Sequence, residues 1–377
     1  MRKYILFLTA ILLLGTACTN GEKSKKERER KIPTYTIGLN LPLTGSASYL
    51  AEEFRKGFEL SFDHFNDSSR RLIIEVLYED NKFNPKDAVT ICKKFIDINK
   101  VDIYIAGYTP IIQATIGIVN RSEIPSLMTM SSSELIAAPY EWAFRDFALE
   151  SNSMPLIASY AYSGMGHDKG TWLVVNDDMG LDALKYFSNS FVESGGSMLE
   201  GEVFENTETD LRNKINKLLD HQPGFIVVVG RGSAMINALR QIREKAPDLP
   251  LFCSMTVENE QVWNALGDKA DNIYFPQTYV DRGSRMYKKV SERFILKHGY
   301  EMNWLNIFGV STASYLIHGL KKTKGDKEAL KEFLRNLDVQ SIRGRLVMNE
   351  NSDVIIPHIV YVRSGGQSLP VNWQGVE

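Results

Sequence analysis

Cysteine is scarce, with three residues in 377. Beyond Cys18, Cys92 and Cys253 allow one disulfide at most, so a disulfide-framed fold is excluded. Cys92 falls in a helical pattern and Cys253 in a strand, and both read as small buried hydrophobes. Net charge is nearly absent, with 44 Lys and Arg against 46 Asp and Glu. Bases are interleaved with acids rather than gathered with aromatics, which argues against a nucleic-acid partner. The six histidines (His64, His167, His221, His298, His318, His358) are scattered without metal-ligand spacing, and no metal is expected. No His-Glu-x-x-His, nucleophile elbow or P-loop occurs. Gly230-Arg231-Gly232 follows a strand and opens a helix but lacks the third glycine of a dinucleotide loop, so no cofactor is expected. Ser, Asp and His all occur, and only geometry decides whether any three act together. After the first eighteen residues no apolar run is long enough to span a membrane.

What is present begins at the N-terminus. Met1–Lys3 is basic, Tyr4–Leu14 is almost wholly apolar, and Gly15-Thr16-Ala17-Cys18 is small. That order reads as an export signal over residues 1–17. Cysteine at the cleavage point resembles a bacterial lipobox, with Cys18 lipidated, although Leu14 stands one place early and Gly15 takes the branched residue's usual position. Residues 18–33 are then a lipid anchor and tether, in which Glu22–Lys31 alternates Lys, Arg and Glu and extends by self-repulsion. The functional part is expected outside the cytoplasm, anchored at the cell envelope away from ATP and NAD. About 360 residues remain after the signal, more than one ordinary core holds.

The remainder alternates strand and helix. Tyr35–Leu41 reads as a strand, followed by a helix with Phe54, Phe58, Phe62 and Phe65 on one face. Leu72–Asp80 is a strand. Asn84-Pro85 opens a helix with asparagine as cap and proline in the first turn. Strand Val101–Gly107, helix Ile112–Arg121 and strand Ser126–Met130 follow. A second series starts with helix Ser151–Tyr162 and strand Thr171–Asn176. It includes strand Met198–Phe204, the apolar run Phe225–Gly230 suited to a strand buried on both faces, helix Ser233–Lys245 and strands Leu251–Ser254 and Asn272–Tyr279. Helical patterns over Arg285–Lys297, Leu305–Lys322 and Lys327–Leu337 precede a tail in which Gly344–Met348 and Val354–Val362 read as an antiparallel pair. The pattern predicts an α/β chain of two doubly wound, Rossmann-like lobes, with ligands beyond the carboxyl ends of the strands.

The run Ile37-Gly38-Leu39-Asn40-Leu41-Pro42-Leu43-Thr44-Gly45, then Tyr49, Lys56-Gly57-Phe58-Glu59-Leu60 and Asn66, resembles the opening of the type I periplasmic binding proteins. The branch it is most similar to is the leucine/isoleucine/valine-binding receptors of ABC transporters. Glu79-Asp80 with Asn84–Ala88, Val101–Gly107, Ile124-Pro125-Ser126, Phe144-Arg145 and Phe225–Arg243 match in order, so the resemblance spans Tyr35 to Val362. It implies a Venus-flytrap clamp with a three-strand hinge that closes over ligand and is read by a membrane permease. One lobe would comprise residues 34–146 and 280–336, the other residues 147–279 and 337–377. A monomer is expected.

The resemblance also implies a pocket. Family members hold a ligand carboxylate with small hydroxyls and backbone N–H groups at helix starts. Here the matching segment is Met130-Ser131-Ser132-Ser133-Glu134; it is also readable as a helix cap, with Ser131 and Glu134 forming a capping box, and the two readings can hold together. Tyr49 falls where the family places an aromatic over the ligand, and is otherwise a surface tyrosine. Ile111 stands in the register of a family serine, with Thr109 as substitute if the turn is shifted. On the second lobe Met179 replaces a tyrosine, Arg231 replaces another, and Thr256 stands where an acid pairs the ligand ammonium, with Glu258 near but out of register. Losing the acid and gaining an arginine favours a small organic anion, aromatic acid or peptide-like solute over an ordinary branched-chain amino acid. Arg231 is otherwise a surface arginine at the sheet edge. The expected function is a non-enzymatic solute-binding lipoprotein of an ABC importer. The alternatives are a sensor or protein-interaction module of the envelope and, more remotely, a hydrolase on the same scaffold.

Overall fold

The computed structural model describes residues 32–45, 47–68, 72–133 and 135–373. The export signal, Cys18 and nearly all of the tether lie outside the described residues, as does Glu134.

The first sheet is parallel throughout, with strands β1 (Thr34–Leu41), β2 (Ile73–Asp80), β3 (Ile103–Gly107), β4 (Ser126–Thr129) and β5 (Ala143–Arg145) in spatial order β2-β1-β3-β4-β5. Its central strands β3 and β4 are buried at every residue, as parallel strands covered on both faces must be. On one face Phe54, Phe58 and Phe62 of the helix Ser48–Ser68 join a core with Leu316 and Leu320 of the helix Trp304–Thr323. These two helices approach backbone to backbone. A Cβ on Gly57 would lie 2.0 Å from the Asn306 carbonyl oxygen, and one on Gly309 would lie 2.1 Å from that of Phe54. On the other face Ile91 and Phe95 pack with Ile112 and Ile116. Asn84 caps the helix Pro85–Lys94 as its sequence requires, its side-chain oxygen accepting from the Lys86 N–H at 2.8 Å.

The second sheet is built from β6 (Lys169–Val175), β7 (Ser197–Met198), β8 (Glu202–Phe204), β9 (Ile226–Val229), β10 (Leu251–Cys253) and β11 (Ile273–Thr278). Next come β12 (Asp338–Ser341), β13 (Gly344–Met348) and β14 (Val354–Ile355), a separate three-stranded antiparallel sheet. Finally β15 (His358–Ser364) and β16 (Gln367–Pro370) return to the second sheet and run antiparallel beside β11. Its order is β16-β15-β11-β10-β9-β6-β7, with β8 also beside β6. Phe187, Phe191, Phe225 and Phe252 form an aromatic core on one face, with Leu218, Leu239 and Ile242 on the other.

Three expectations change. The strand expected over Met198–Phe204 is two short strands, because Gly201 lies against the indole of Trp172, where a Cβ would come within 2.2 Å of the ring. The expected antiparallel pair in the tail is divided: Gly344–Met348 pairs with Val354-Ile355, and the chain then turns at Pro357 into the other sheet. The tail is accordingly not all in the second lobe. Leu346, Met348, Val354 and Ile356 share the first lobe's core, and only the part from His358 onward joins the second sheet. The chain passes between lobes three times, after Arg145, after Thr278 and at Ile356-Pro357. Cys92 and Cys253 are free and fully buried in separate cores. Among the described residues no helix is long and apolar enough to cross a membrane, and no cluster of three His, Cys, Asp or Glu could hold a metal.

Candidate functional site

The site grows from the carboxyl ends of β3 and β4. After Gly107 the chain turns sharply: Tyr108 has φ +70° and donates its N–H to the Thr129 carbonyl at 3.2 Å. This turn starts the helix Thr109–Arg121 at Thr109, with Pro110 in its first turn, so the first N–H groups of a thirteen-residue helix point beyond the sheet edge. A second left-handed residue, Met130 at φ +52°, turns the chain after β4. The two turns place the Thr109 hydroxyl 2.8 Å from that of Ser131. Ile111 is wholly buried in the core beneath. The earlier helix start therefore makes Thr109, not Ile111, the side chain beside the serine segment. Ser131 is 2% exposed, while Ser132 and Ser133 are half-buried. The Ser133 carbonyl accepts from the Arg145 guanidinium, whose Nε donates to Asp353 at 2.7 Å. Glu134 lies outside the described residues, but no helix stands between β4 and β5 among the described ones, the chain running on through turns, so Ser131 caps no helix and the helix-cap reading of this loop fails.

Tyr49 sits in the first turn of the helix Ser48–Ser68, half-buried. Burial first, then the carboxylates of Glu53 and Glu260, push its phenol up to about 12. Tyr49 also packs against the first lobe's core. Glu53, one helical turn on, is fixed by Lys56 at 2.6 Å, Tyr300 at 2.7 Å, Asn303 at 2.8 Å and Asn306 at 3.1 Å. Despite burial, these donors hold its carboxyl below the usual range.

On the second lobe Asp177 follows β6 and caps the helix Asp178–Glu193, its Oδ1 accepting from the Gly180 N–H at 3.2 Å. Met179 is half-buried and packs against the apolar clusters on both faces of the sheet. Arg231, extended before the helix Gly232–Lys245, is paired with Asp177. Its charge also acts on Tyr108 of the first lobe. The Thr256 hydroxyl donates to the Gly230 carbonyl at 3.1 Å and meets that of Ser254 at 2.7 Å, so it ties its own lobe together. The Glu258 carboxylate accepts from the Ser368 hydroxyl at 2.7 Å and is raised above its usual range by burial.

Sequence reasoning missed the aromatic group between the lobes. Trp304 donates its indole N–H to the Glu258 carbonyl at 2.9 Å across the gap and packs beside Phe308 and Phe147. Met255 reaches from the second lobe into the first lobe's core. Trp304 opens a helix that read only as a periodic apolar pattern, and nothing local marks it as an interlobe residue.

One wall thus offers hydroxyls and helix N–H donors, which suit a carboxylate. The other offers a cation already matched by an acid. Solved structures share this architecture. A leucine-binding protein from Thermotoga maritima superposes with a TM-score of 0.80 at 19% identity, covering 89% of this chain and 97% of that one. A branched-chain amino acid transporter substrate-binding protein from Streptococcus pneumoniae, in complex with isoleucine, gives 0.81 at 19% identity, with 90% and 99% covered. A solute-binding protein of an ABC transporter from Rhodopseudomonas palustris, in complex with 3,4-dihydroxybenzoic acid, gives 0.79 at 20% identity, with 91% and 98% covered. The family model for periplasmic binding proteins matches residues 34–363. With nearly the whole two-lobed body matched, the chain belongs to the periplasmic binding protein family, in its type I form.

Proposed function

We propose that this chain is an exported, lipid-anchored solute receptor of an ABC importer that closes about its three crossings over a small carboxylated solute. The observation that carries the reading is the Thr109 and Ser131 hydroxyl pair at the carboxyl edge of the first sheet. Tyr49 and Ser131–Ser133 with Thr109 form one wall, and Met179, Arg231 and Thr256 the other. The solute's carboxylate takes the hydroxyls and helix N–H groups, its body lies against Tyr49, and its far end meets Arg231. Similarity to proteins solved with isoleucine and with a hydroxybenzoic acid supports a small acid as ligand. Closure presents a joined surface to a membrane permease, and Cys18 supplies the anchor. The chain acts by binding and not by turnover.

One feature favours a second reading. Trp304 and Met255 join the lobes through the chain's own atoms, as suits a sensor or interaction module of the envelope that holds one conformation. A thermal-shift screen against amino acids, aliphatic and aromatic acids and short peptides separates the two. A ligand at a hundredfold over its dissociation constant stabilises by about 2.7 kcal/mol, a shift of a few degrees. A shift with a carboxylic acid supports the receptor, and none with any compound supports the module.

A further inference from the structure

The ion pair of Asp177 and Arg231 makes no structural demand that accounts for it. Arg231 stands at the start of its helix, where a guanidinium, having donors only, cannot cap the helix's N–H groups. Asp177 already serves its own helix through Oδ1, while Oδ2 takes Arg231 and, at 3.5 Å, the Asn206 amide. The two side chains are 50% and 31% exposed, and a pair this wet is favoured by no more than about fivefold over its separated state. It stands just past the carboxyl ends of β6 and β9, adjacent parallel strands of the second sheet, which is where open α/β sheets take their ligands. A ligand ammonium entering here meets Arg231 and an acid already neutralised. A ligand carboxylate meets the same arginine and can take the place of Asp177.

We infer that the Asp177 carboxylate is a built-in stand-in for a second ligand carboxylate, so that Arg231 selects short dicarboxylic solutes over monocarboxylates and α-amino acids. This rests on the receptor reading above. The first carboxylate takes Thr109 and Ser131, and the second displaces Asp177 from Arg231. Asp177 then sets the threshold, because every anion at this end competes with it.

Succinate, terephthalate, benzoate and leucine, titrated calorimetrically into the purified full-length chain, test the inference. Wild type binds succinate or terephthalate at least tenfold more tightly than benzoate or leucine. Asp177→Asn keeps the helix cap, since asparagine caps as well as aspartate, and tightens the dicarboxylate two- to fivefold. Arg231→Gln removes the preference, weakening succinate and terephthalate at least tenfold more than benzoate. Equal affinity for mono- and dicarboxylates in wild type, or a preference that survives Arg231→Gln, overturns this inference while leaving the receptor reading intact. Binding of none of the four by wild type or Asp177→Asn overturns the inference, and silence in the wider screen removes the receptor reading with it.

Discussion

The carboxylate of Asp146 is gripped by both terminal nitrogens of Arg343, at 2.8 and 2.7 Å, with neither side chain exposed. Asp146 is the first residue after β5, where the chain leaves the first lobe, and Arg343 lies in the turn between β12 and β13. Thr312 at 2.7 Å and Tyr315 at 2.9 Å also donate to this carboxylate, and the guanidinium lies 4.1 Å from the centre of the Phe308 ring. The pair joins the first crossing to the small third sheet. Removing one partner leaves the other charged and buried. Asp146→Ala is expected to lower unfolding free energy by about 3–5 kcal/mol, whereas replacing both residues by apolar ones costs less than the sum of the single changes. Urea unfolding of the three variants measures this, and a loss under 1 kcal/mol for Asp146→Ala contradicts it.

The crossing of the helices Ser48–Ser68 and Trp304–Thr323 depends on reciprocal glycines. A Cβ at Gly57 or Gly309 meets backbone oxygen at 2.0 or 2.1 Å, and backbone cannot step aside as a flexible side chain can. Gly57→Ala and Gly309→Ala should each destabilise by about 1–3 kcal/mol despite alanine's better helix propensity. A melting temperature equal to wild type in either variant rejects this close crossing.

His358 sits at the third crossing with Nε2 unpartnered. Burial first, then the charge of Arg343, push its imidazole down to about 4, against an opposing hydrogen bond with the Ile356 backbone. The unfolded chain titrates near 6.5, so above that value His358 contributes no pH dependence. As pH falls from about 6.5 to 4 the unfolded state gains the extra proton and stability drops, by roughly 3 kcal/mol at the lower limit. His167 and His298 are lowered in the same direction. Asp102 and Glu258, raised by burial, take up protons in the folded state and oppose the trend at its acid end. Melting temperatures at pH 7 and pH 5 should fall further for wild type than for His358→Gln, and equal falls would exclude His358 as a source.

Much of this was legible in the chain. Phe225–Gly230 was readable because a parallel strand covered on both faces is continuously apolar, and Asn84-Pro85 because a cap and its proline are local chemistry. Ala143–Arg145 was not read as a strand, since three residues carry no period and its place is set by pairing with β4. The division of the tail at Pro357 depends on which core takes Leu346 and Val354, a contact with residues far away in sequence. In the site, Ser131 was visible as one of three serines after a strand. The choice of Thr109 over Ile111 was decided by the positive φ of Tyr108, which sequence spacing does not reveal. Thr256 and Glu258 stood at the right strand end, but their partners Gly230 and Ser368 show that the Thr256 hydroxyl and the Glu258 carboxylate are engaged within their own lobe.

The most direct test is calorimetric titration of the purified chain with the acid that gives the largest thermal shift, in wild type and in Thr109→Val with Ser131→Ala. The account predicts one site per chain and at least a tenfold loss of affinity in the double variant, with its melting temperature in the absence of ligand within a few degrees of wild type. Binding that is undiminished in the double variant, or no binding of any carboxylate by wild type, contradicts it.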